Sequence, residues 1–268
     1  MDCEDPLGNE AIFYVNGYPF LFERCLAKSD HTEAWLCREP DKPFNPRVVV
    51  KRVTERAYRN LEREFNILRT LEARGVSKVP RVLCSGECDV RLGGKWVGAM
   101  VTDRYGEPLT SIVSQQQLLT EAQLTEYGCQ IAEVLSRAHA IGVVNRDVKP
   151  AHIICFDTNQ VTLIDWGLAA FKGYPYRGYT GTPPFSSVNA LQEGPLHEQD
   201  DFDSLMLSLL FLWDKGVSRF VWRVSRPFSL SKQAEKINFA RSLFPLVWSR
   251  CVFSMGATRA SRLKLLPP

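Results

Sequence analysis

The stretch 145–167 reads Asn-Arg-Asp-Val-Lys-Pro-Ala-His-Ile-Ile-Cys-Phe-Asp-Thr-Asn-Gln-Val-Thr-Leu-Ile-Asp-Trp-Gly, and it constrains this chain more than any other. Two short apolar runs, Ile153-Ile154-Cys155-Phe156 and Val161-Thr162-Leu163-Ile164, flank a polar turn at Asp157-Thr158-Asn159-Gln160, which predicts a tight β-hairpin. Antiparallel pairing brings the outer ends of a hairpin together. Asp147, His152 and Asp165 are therefore expected around one small volume, although eighteen residues separate the two aspartates; Lys149 lies beside them. Two carboxylates and an ammonium at a hairpin mouth suit a metal-bound polyphosphate with a nearby proton acceptor. Either aspartate alone would read as a strand end or a turn cap. Their joint spacing is what points to chemistry.

A chain of 268 residues can bury one large core or two smaller ones. No apolar run is long enough to cross a bilayer. The start, Met-Asp-Cys-Glu-Asp, is acidic and lacks the basic and apolar regions of a signal peptide. Eight cysteines are scattered without a Cys-x-x-Cys pair, Cys84 and Cys88 being the closest two, so reduced and mostly buried thiols are expected. The expected location is intracellular, in cytoplasm or nucleus. The net charge of +3 hides an asymmetry: from residue 215 onward there are eleven Lys or Arg and one acidic residue, Glu235. Such a basic third would attract acidic or phosphorylated partners, although its charges are dispersed as on an ordinary solvated surface.

Along the chain, residues 1–19 show no clear periodicity and read as a loosely attached lead-in. Strand-like residues from Phe20 to Cys37 surround a polar middle, and Val48-Val49-Val50-Lys51-Arg52-Val53 is a further strand. A lysine in such a run is either exposed or directed at an acidic partner. Thr54 is placed to cap a helix that stops at Gly75, with Leu61, Phe65, Leu68, Leu71 and Glu72 near one face. Glu64 falls on that face and Glu62 does not, so Glu64 is the acid available to Lys51. Residues 80–91 and 95–102 read as a strand pair turned at Gly93-Gly94. The polar segment 103–108 reads as a hinge. Thr120-Glu121-Ala122-Gln123 has the form of a capping box and opens a helix with Leu124, Ile131, Leu135 and Ala138 on one face, ending before Gly142. Residues 201–213 are apolar nearly all round and predict a buried helix.

Arg146-Asp147-x-Lys149-Pro150, a hairpin and Asp165-x-Gly167 resemble the catalytic and metal-binding loops of the protein-kinase superfamily. The resemblance extends from about Phe20 to the C-terminus. It implies an α+β, bilobal protein-kinase-like fold: a lead-in (1–19), a five-strand antiparallel lobe with one helix (20–102), a hinge (103–108) and a larger, mainly helical lobe (109–268). Within the superfamily the casein kinase one branch is most similar, through residues 181–190 with Ser187-Val188-Asn189 and through Asp200-Asp201-Phe202-Asp203-Ser204-Leu205. Thr258-Arg259-Ala260-Ser261 resembles the final arginine motif.

Carried over residue by residue, the resemblance implies that Lys51 and Glu64 grip the α- and β-phosphates of ATP. Asp147 would accept or orient the substrate hydroxyl proton, Lys149 would neutralise the γ-phosphate, and Asp165 would ligate Mg²⁺. Lys149 with Thr182 matches the serine/threonine pattern. Thr102 would be the gatekeeper, and Ala27 and Ser29 would line the nucleotide. Tyr174, Tyr176, Tyr179 and Thr180 are candidate phosphorylation sites near Arg146, or ordinary loop hydroxyls.

Three departures bear on activity. Ala27-Lys28-Ser29-Asp30-His31-Thr32 stands where a glycine-rich loop would close over phosphate, which implies weak nucleotide binding. His152 stands where an asparagine would ligate the second metal; it is either a ligand favouring Mn²⁺ over Mg²⁺ or a neutral side chain bonded to its loop. Asn145 stands where histidine normally packs beneath the metal-binding aspartate. The first reading is thus an ATP-dependent protein serine/threonine kinase with reduced activity, acting on an acidic or pre-phosphorylated protein substrate. The second is a pseudokinase acting as a binding module. The third is a small-molecule phosphotransferase of the aminoglycoside-kinase type, suggested by Leu163-Ile164-Asp165-Trp166. No nucleic-acid motif is present, and the sequence leaves the oligomeric state open.

Overall fold

The computed structural model describes residues 12–42, 44, 46–88, 96–103, 106–114, 118–157, 160–173, 178–214, 220, 222 and 229–263. The chain divides into two compact units, Met1–Glu72 with Pro80–Arg104, and Ala73–Val79 with Tyr105–Pro268. The turn at Gly93-Gly94, residues 158 and 159 of the hairpin turn, Tyr174, Tyr176 and the side chains of residues 257–263 lie outside what is described.

In the first unit, β1 (Ile12–Val15), β2 (Tyr18–Lys28), β3 (Thr32–Arg38), β4 (Arg47–Val53), β5 (Val82–Glu87) and β6 (Gly98–Asp103) form one sheet in the order β1-β2-β3-β4-β6-β5. Every neighbouring pair is antiparallel. The sheet has six strands rather than the five expected, because part of the presumed lead-in is β1. Asn16 and Gly17, with φ of 50° and 80°, make the two-residue turn into β2. Phe13 and Val15 are buried while Ile12 and Tyr14 are exposed. All four residues are bulky and apolar, so the sequence shows none of the alternation that their burial has.

One face of the sheet carries the core of this unit: Phe13, Val15, Phe20, Trp35, Val48, Val50 and Val101. The opposite face holds Lys51, whose cross-strand neighbours are Ala34 and Met100. It also receives the helix α1 (Tyr58–Ala73), since a Cβ on Gly98 would lie 2.6 Å from the Tyr58 ring. The helix buries Leu61, Glu64, Ile67, Leu68 and Leu71 and gives way to Gly75, at φ 70°. The expected stripe is displaced by about one residue. Glu72 is exposed and paired with Arg69, Phe65 is half-buried, and Ile67 takes the inner place. Thr54 does not cap α1. A 3-10 turn, Glu55–Ala57, intervenes, and the Thr54 hydroxyl lies 3.2 Å from Nδ1 of His31 instead.

The second unit contains β7 (Glu107–Pro108), α2 (Leu109–Ser114), α3 (Glu121–Ala140), β8 (Val143–Val144), β9 (Ile153–Asp157), β10 (Gln160–Leu163), β11 (Ala170–Phe171), α4 (Val188–Leu191), α5 (Glu198–Asp214), α6 (Leu230–Leu243) and α7 (Pro245–Leu263). The predicted hairpin is β9–β10. It gains β7 as a third strand, so the expected hinge 103–108 begins in β6 and ends in paired strand. The capping box on α3 is complete: Thr120 Oγ1 accepts from Gln123 N at 3.2 Å, and Gln123 Oε1 accepts from Thr120 N at 3.0 Å. Leu124, Ile131, Leu135 and Ala138 are buried as expected. Helix α5 is buried nearly all round. It approaches α3 so closely that a Cβ on Gly128 would lie 2.7 Å from Leu209. A β-sheet unit with one long helix and a mainly helical unit make this the α+β kinase-like fold that the sequence implied.

Candidate active site

Candidate residues lie in both units. In the first, Lys51 Nζ donates to Glu64 Oε2 at 2.6 Å. Glu64 is buried and the lysine side chain is 24% exposed, so Lys51 keeps some contact with solvent while its partner does not. Thr102 is buried on β6, opposite Val49 and two residues from the partner of Lys51, so it shares that face of the sheet.

The stretch expected to stand in place of a glycine-rich phosphate loop is the β2–β3 turn. Ser29 N donates to Thr32 O at 2.8 Å, and Ser29 Oγ accepts from Thr32 N at 3.1 Å. Two of the four turn amides are thus engaged within the turn. Thr54 N donates to His31 O at 3.0 Å, tying the turn to the end of β4. Ala27 and Ser29 are both exposed. Next to the turn, Glu33 is buried and receives Trp35 Nε1, Arg52 and Lys28. Burial alone would raise this carboxyl, but the bonds from Trp35 and Arg52 outweigh it and hold it below its ordinary value.

In the second unit Asp147 sits in a closed polar triangle. Lys149 Nζ donates to Asp147 Oδ2 at 2.8 Å and to Thr182 Oγ1 at 3.0 Å, and Thr182 Oγ1 donates to Asp147 Oδ1 at 2.6 Å. Both carboxylate oxygens are fixed by donors, one of them charged. The loop that presents Asp147 is strained: Arg146 has φ 74°, uncommon for a residue with a side chain. Asp201, near the start of α5, holds it there. Its carboxylate accepts the backbone N–H groups of Asn145 and Arg146, each at 2.7 Å, and lies 2.8 Å from Nε2 of buried His139. Gly181, at φ 120°, passes so close that a Cβ would lie 2.7 Å from the Arg146 carbonyl oxygen. Only glycine permits that approach.

Asp165, His152 and Asn145 complete this half. Asp165 follows β10 at φ 59°. Asn145 is buried beneath it, with Nδ2 3.5 Å from the Asp165 carbonyl and Oδ1 accepting from Asp147 N at 3.1 Å. Asparagine therefore does part of the bridging that a histidine would do here. His152 Nδ1 donates to the Asp147 carbonyl at 3.0 Å, and its Nε2 lies 3.2 Å from Asp165 Oδ2. In the neutral ring, Nε2 then carries a lone pair that faces a carboxylate oxygen. Burial pushes the ring away from protonation, against the pull of Asp165. A divalent cation would relieve such a pair of lone pairs, so these two residues fit a metal and would supply two of its ligands. Among the described residues no group of three or more His, Cys, Asp or Glu side chains is arranged to hold a metal ion by itself. The remaining ligands would be phosphate oxygens and water, as Mg²⁺ and Mn²⁺ accept.

The structure thus brings Asp147, Lys149, His152 and Asp165 together, and separately Lys51 with Glu64, as the sequence implied. It adds Asp201. The signal for Asp201 was its place among the carboxylates that open a buried helix, where burial demands a partner. Ser187 and Asn189 form a further polar unit on Asp200, with Ser187 Oγ at 2.6 Å and Asn189 Nδ2 at 2.9 Å. Tyr179 bonds Ser186 through its hydroxyl at 2.7 Å.

The protein kinase domain model matches residues 39–215. The serine/threonine-protein kinase nekl-2 of Caenorhabditis elegans is 24% identical over 199 residues, covering 68% of this chain and 54% of the relative. The mitogen-activated protein kinase HOG1 of Ustilaginoidea virens is 28% identical over 154 residues, covering 55% and 41%. Mitogen-activated protein kinase kinase 7 of Arabidopsis thaliana is 30% identical over 132 residues, covering 48% and 40%. The chain spans about half or less of the length of these curated relatives, which are of NEK and mitogen-activated type and do not single out the casein kinase one branch. With two thirds of its length matched by that domain, this chain belongs to the protein kinase family.

Proposed function

We propose that this protein is an ATP-dependent protein serine/threonine kinase that uses a divalent metal, with Mn²⁺ serving better than Mg²⁺. The observation that carries the reading is the triangle of Asp147, Lys149 and Thr182, which leaves a carboxylate rigidly oriented beside a charged donor. In the transfer, a substrate hydroxyl oxygen forms a bond to the γ-phosphorus and the bond to the bridging oxygen breaks, releasing ADP. Asp147 orients that hydroxyl and takes its proton. Lys149 offsets charge on the moving phosphoryl group, and Thr182 keeps both from rotating. Lys51, aligned by Glu64, binds the α- and β-phosphates, and Thr102 is the gatekeeper. Asp165 and His152 would hold the metal, which when bound neutralises phosphate charge. Positioning and charge supply most of the catalysis in this chemistry, so an imperfect phosphate loop slows the reaction without abolishing it.

The casein kinase one resemblance is the finer reading, supported by the Ser187–Asn189–Asp200 unit. An acidic or pre-phosphorylated protein is the corresponding substrate. The functional boundaries proposed are a small lobe to residue 102, a hinge over 103–108 and a large lobe thereafter. One observation favours a pseudokinase instead: the β2–β3 turn bonds its own amides through Ser29 and carries Asp30 where phosphate would approach.

Thermal-shift titration with ATP decides between them, because stabilisation grows as the logarithm of ligand over dissociation constant. The protein is expected to be stabilised by ATP with Mn²⁺ and several-fold more weakly bound with Mg²⁺, and His152→Asn is expected to reverse that order. No shift with either metal would establish the pseudokinase.

A further inference from the structure

Gln233, in the first turn of α6, is 3% exposed. Its Nε2 lies 3.2 Å from the carbonyl oxygen of Pro184 and 2.8 Å from that of Ser186. A carboxamide nitrogen has two hydrogens, and both are directed at one loop, residues 182–186. That loop contains two prolines, which lack N–H groups, and forms a single 3-10 turn, Pro183–Phe185. Its first residue is Thr182, the donor to Asp147. Ser186 Oγ donates back to the Thr182 carbonyl at 3.1 Å and closes the loop.

The loop is held from a second side. Phe185 packs against Phe211 of α5, edge-on at 5.4 Å, and Trp222, stacked at 5.8 Å, which are themselves edge-on at 5.1 Å. Trp222 donates Nε1 to Asp214 Oδ2 at 2.7 Å, and Lys236, one turn along α6 from Gln233, places Nζ 4.8 Å from its ring centre. Helix α6 therefore grips the loop directly through Gln233 and indirectly through the ring that Phe185 packs on.

We propose that Gln233 is a positioning residue for the phosphoryl acceptor, fixing residues 182–186 where an acceptor peptide would lie beside Asp147. The inference rests on the kinase reading above. It requires a side chain with two donors. Glutamate has the same shape but, ionised, presents only acceptors to two carbonyl oxygens, and methionine leaves both unpaired.

The test uses Gln233→Glu in the full chain, with Gln233→Met carrying the same measurements if the charged variant does not fold. The N–H groups of Phe185 and Ser186 bond Thr182 O at 3.0 Å and Pro183 O at 3.2 Å, so their hydrogen exchange reports the loop. Exchange there should quicken about tenfold, and KM for casein should rise about tenfold while KM for ATP changes less than about twofold. A folded variant with unchanged exchange at these amides, or with both KM values altered equally, overturns the inference alone. Absence of transfer by the unaltered chain overturns the kinase reading, and the inference with it.

Discussion

Glu64 is buried with its carboxylate 2.6 Å from Lys51, and that asymmetry decides what each residue can lose. Removing one member of a deeply buried pair costs about 3–5 kcal/mol, because the other charge is stranded. Lys51 remains partly in contact with water, so Lys51→Met should cost less, about 1–3 kcal/mol. Adding Glu64→Leu removes the stranded charge and should restore most of the stability measured by urea unfolding, yet the thermal response to ATP should stay lost. A double variant that regains the ATP response would show that the pair serves only the fold. At this scale much of the site was legible. Asp147, Lys149 and Asp165 are close in sequence, and a hairpin is enough to gather them. Asp201 and Gln233 were not legible as parts of it, because each acts on backbone 47 or more residues away. Backbone acceptors and donors carry no residue signature.

Among the elements, the β2–β3 turn is where sequence and chemistry pull apart. Ser29 completes a well-bonded hairpin turn, which favours folding, and in doing so takes up an amide that a phosphate would use. Replacing Ser29 and Asp30 by glycine should free that amide and remove a negative charge. The expected outcome is tighter ATP binding, by about tenfold, with a loss of roughly 1 kcal/mol in stability from the added chain entropy. Calorimetric titration of ATP into the variant checks this, and weaker binding would contradict it. The elements that were legible had a strong local signature: the β-branched run of β4, the capping box of α3, the apolar helix α5. Those that were not are short and tertiary in origin. β1 is a four-residue strand with no alternation to read, and β7 is two residues paired to a hairpin that follows some 45 positions later in the chain. Thr54 has the chemistry of a cap, but His31 reaches its hydroxyl first.

At the scale of the whole molecule, each of the two units is stabilised by its own core, and the chemistry is assigned to side chains in both. The thiols are consistent with a reduced protein. Burial pushes Cys88 up to about 11 and Cys251 up to about 12, far from reactive thiolate, and no disulfide occurs among the described residues. No helix among the described residues is long and apolar enough to cross a membrane. The basic excess after residue 214 contrasts with the acidic remainder and would bias a partner or substrate toward negative charge. The kinase activity proposed above would transfer phosphate with Asp147 as the residue that orients the acceptor hydroxyl. Its most direct test is radiolabel transfer from ATP to casein with Mn²⁺ or Mg²⁺, comparing the unaltered protein with Asp147→Asn. Labelled casein is expected from the former and at least about a hundredfold less from the latter, at similar thermal stability. No label with either metal, or equal labelling by both proteins, would contradict it.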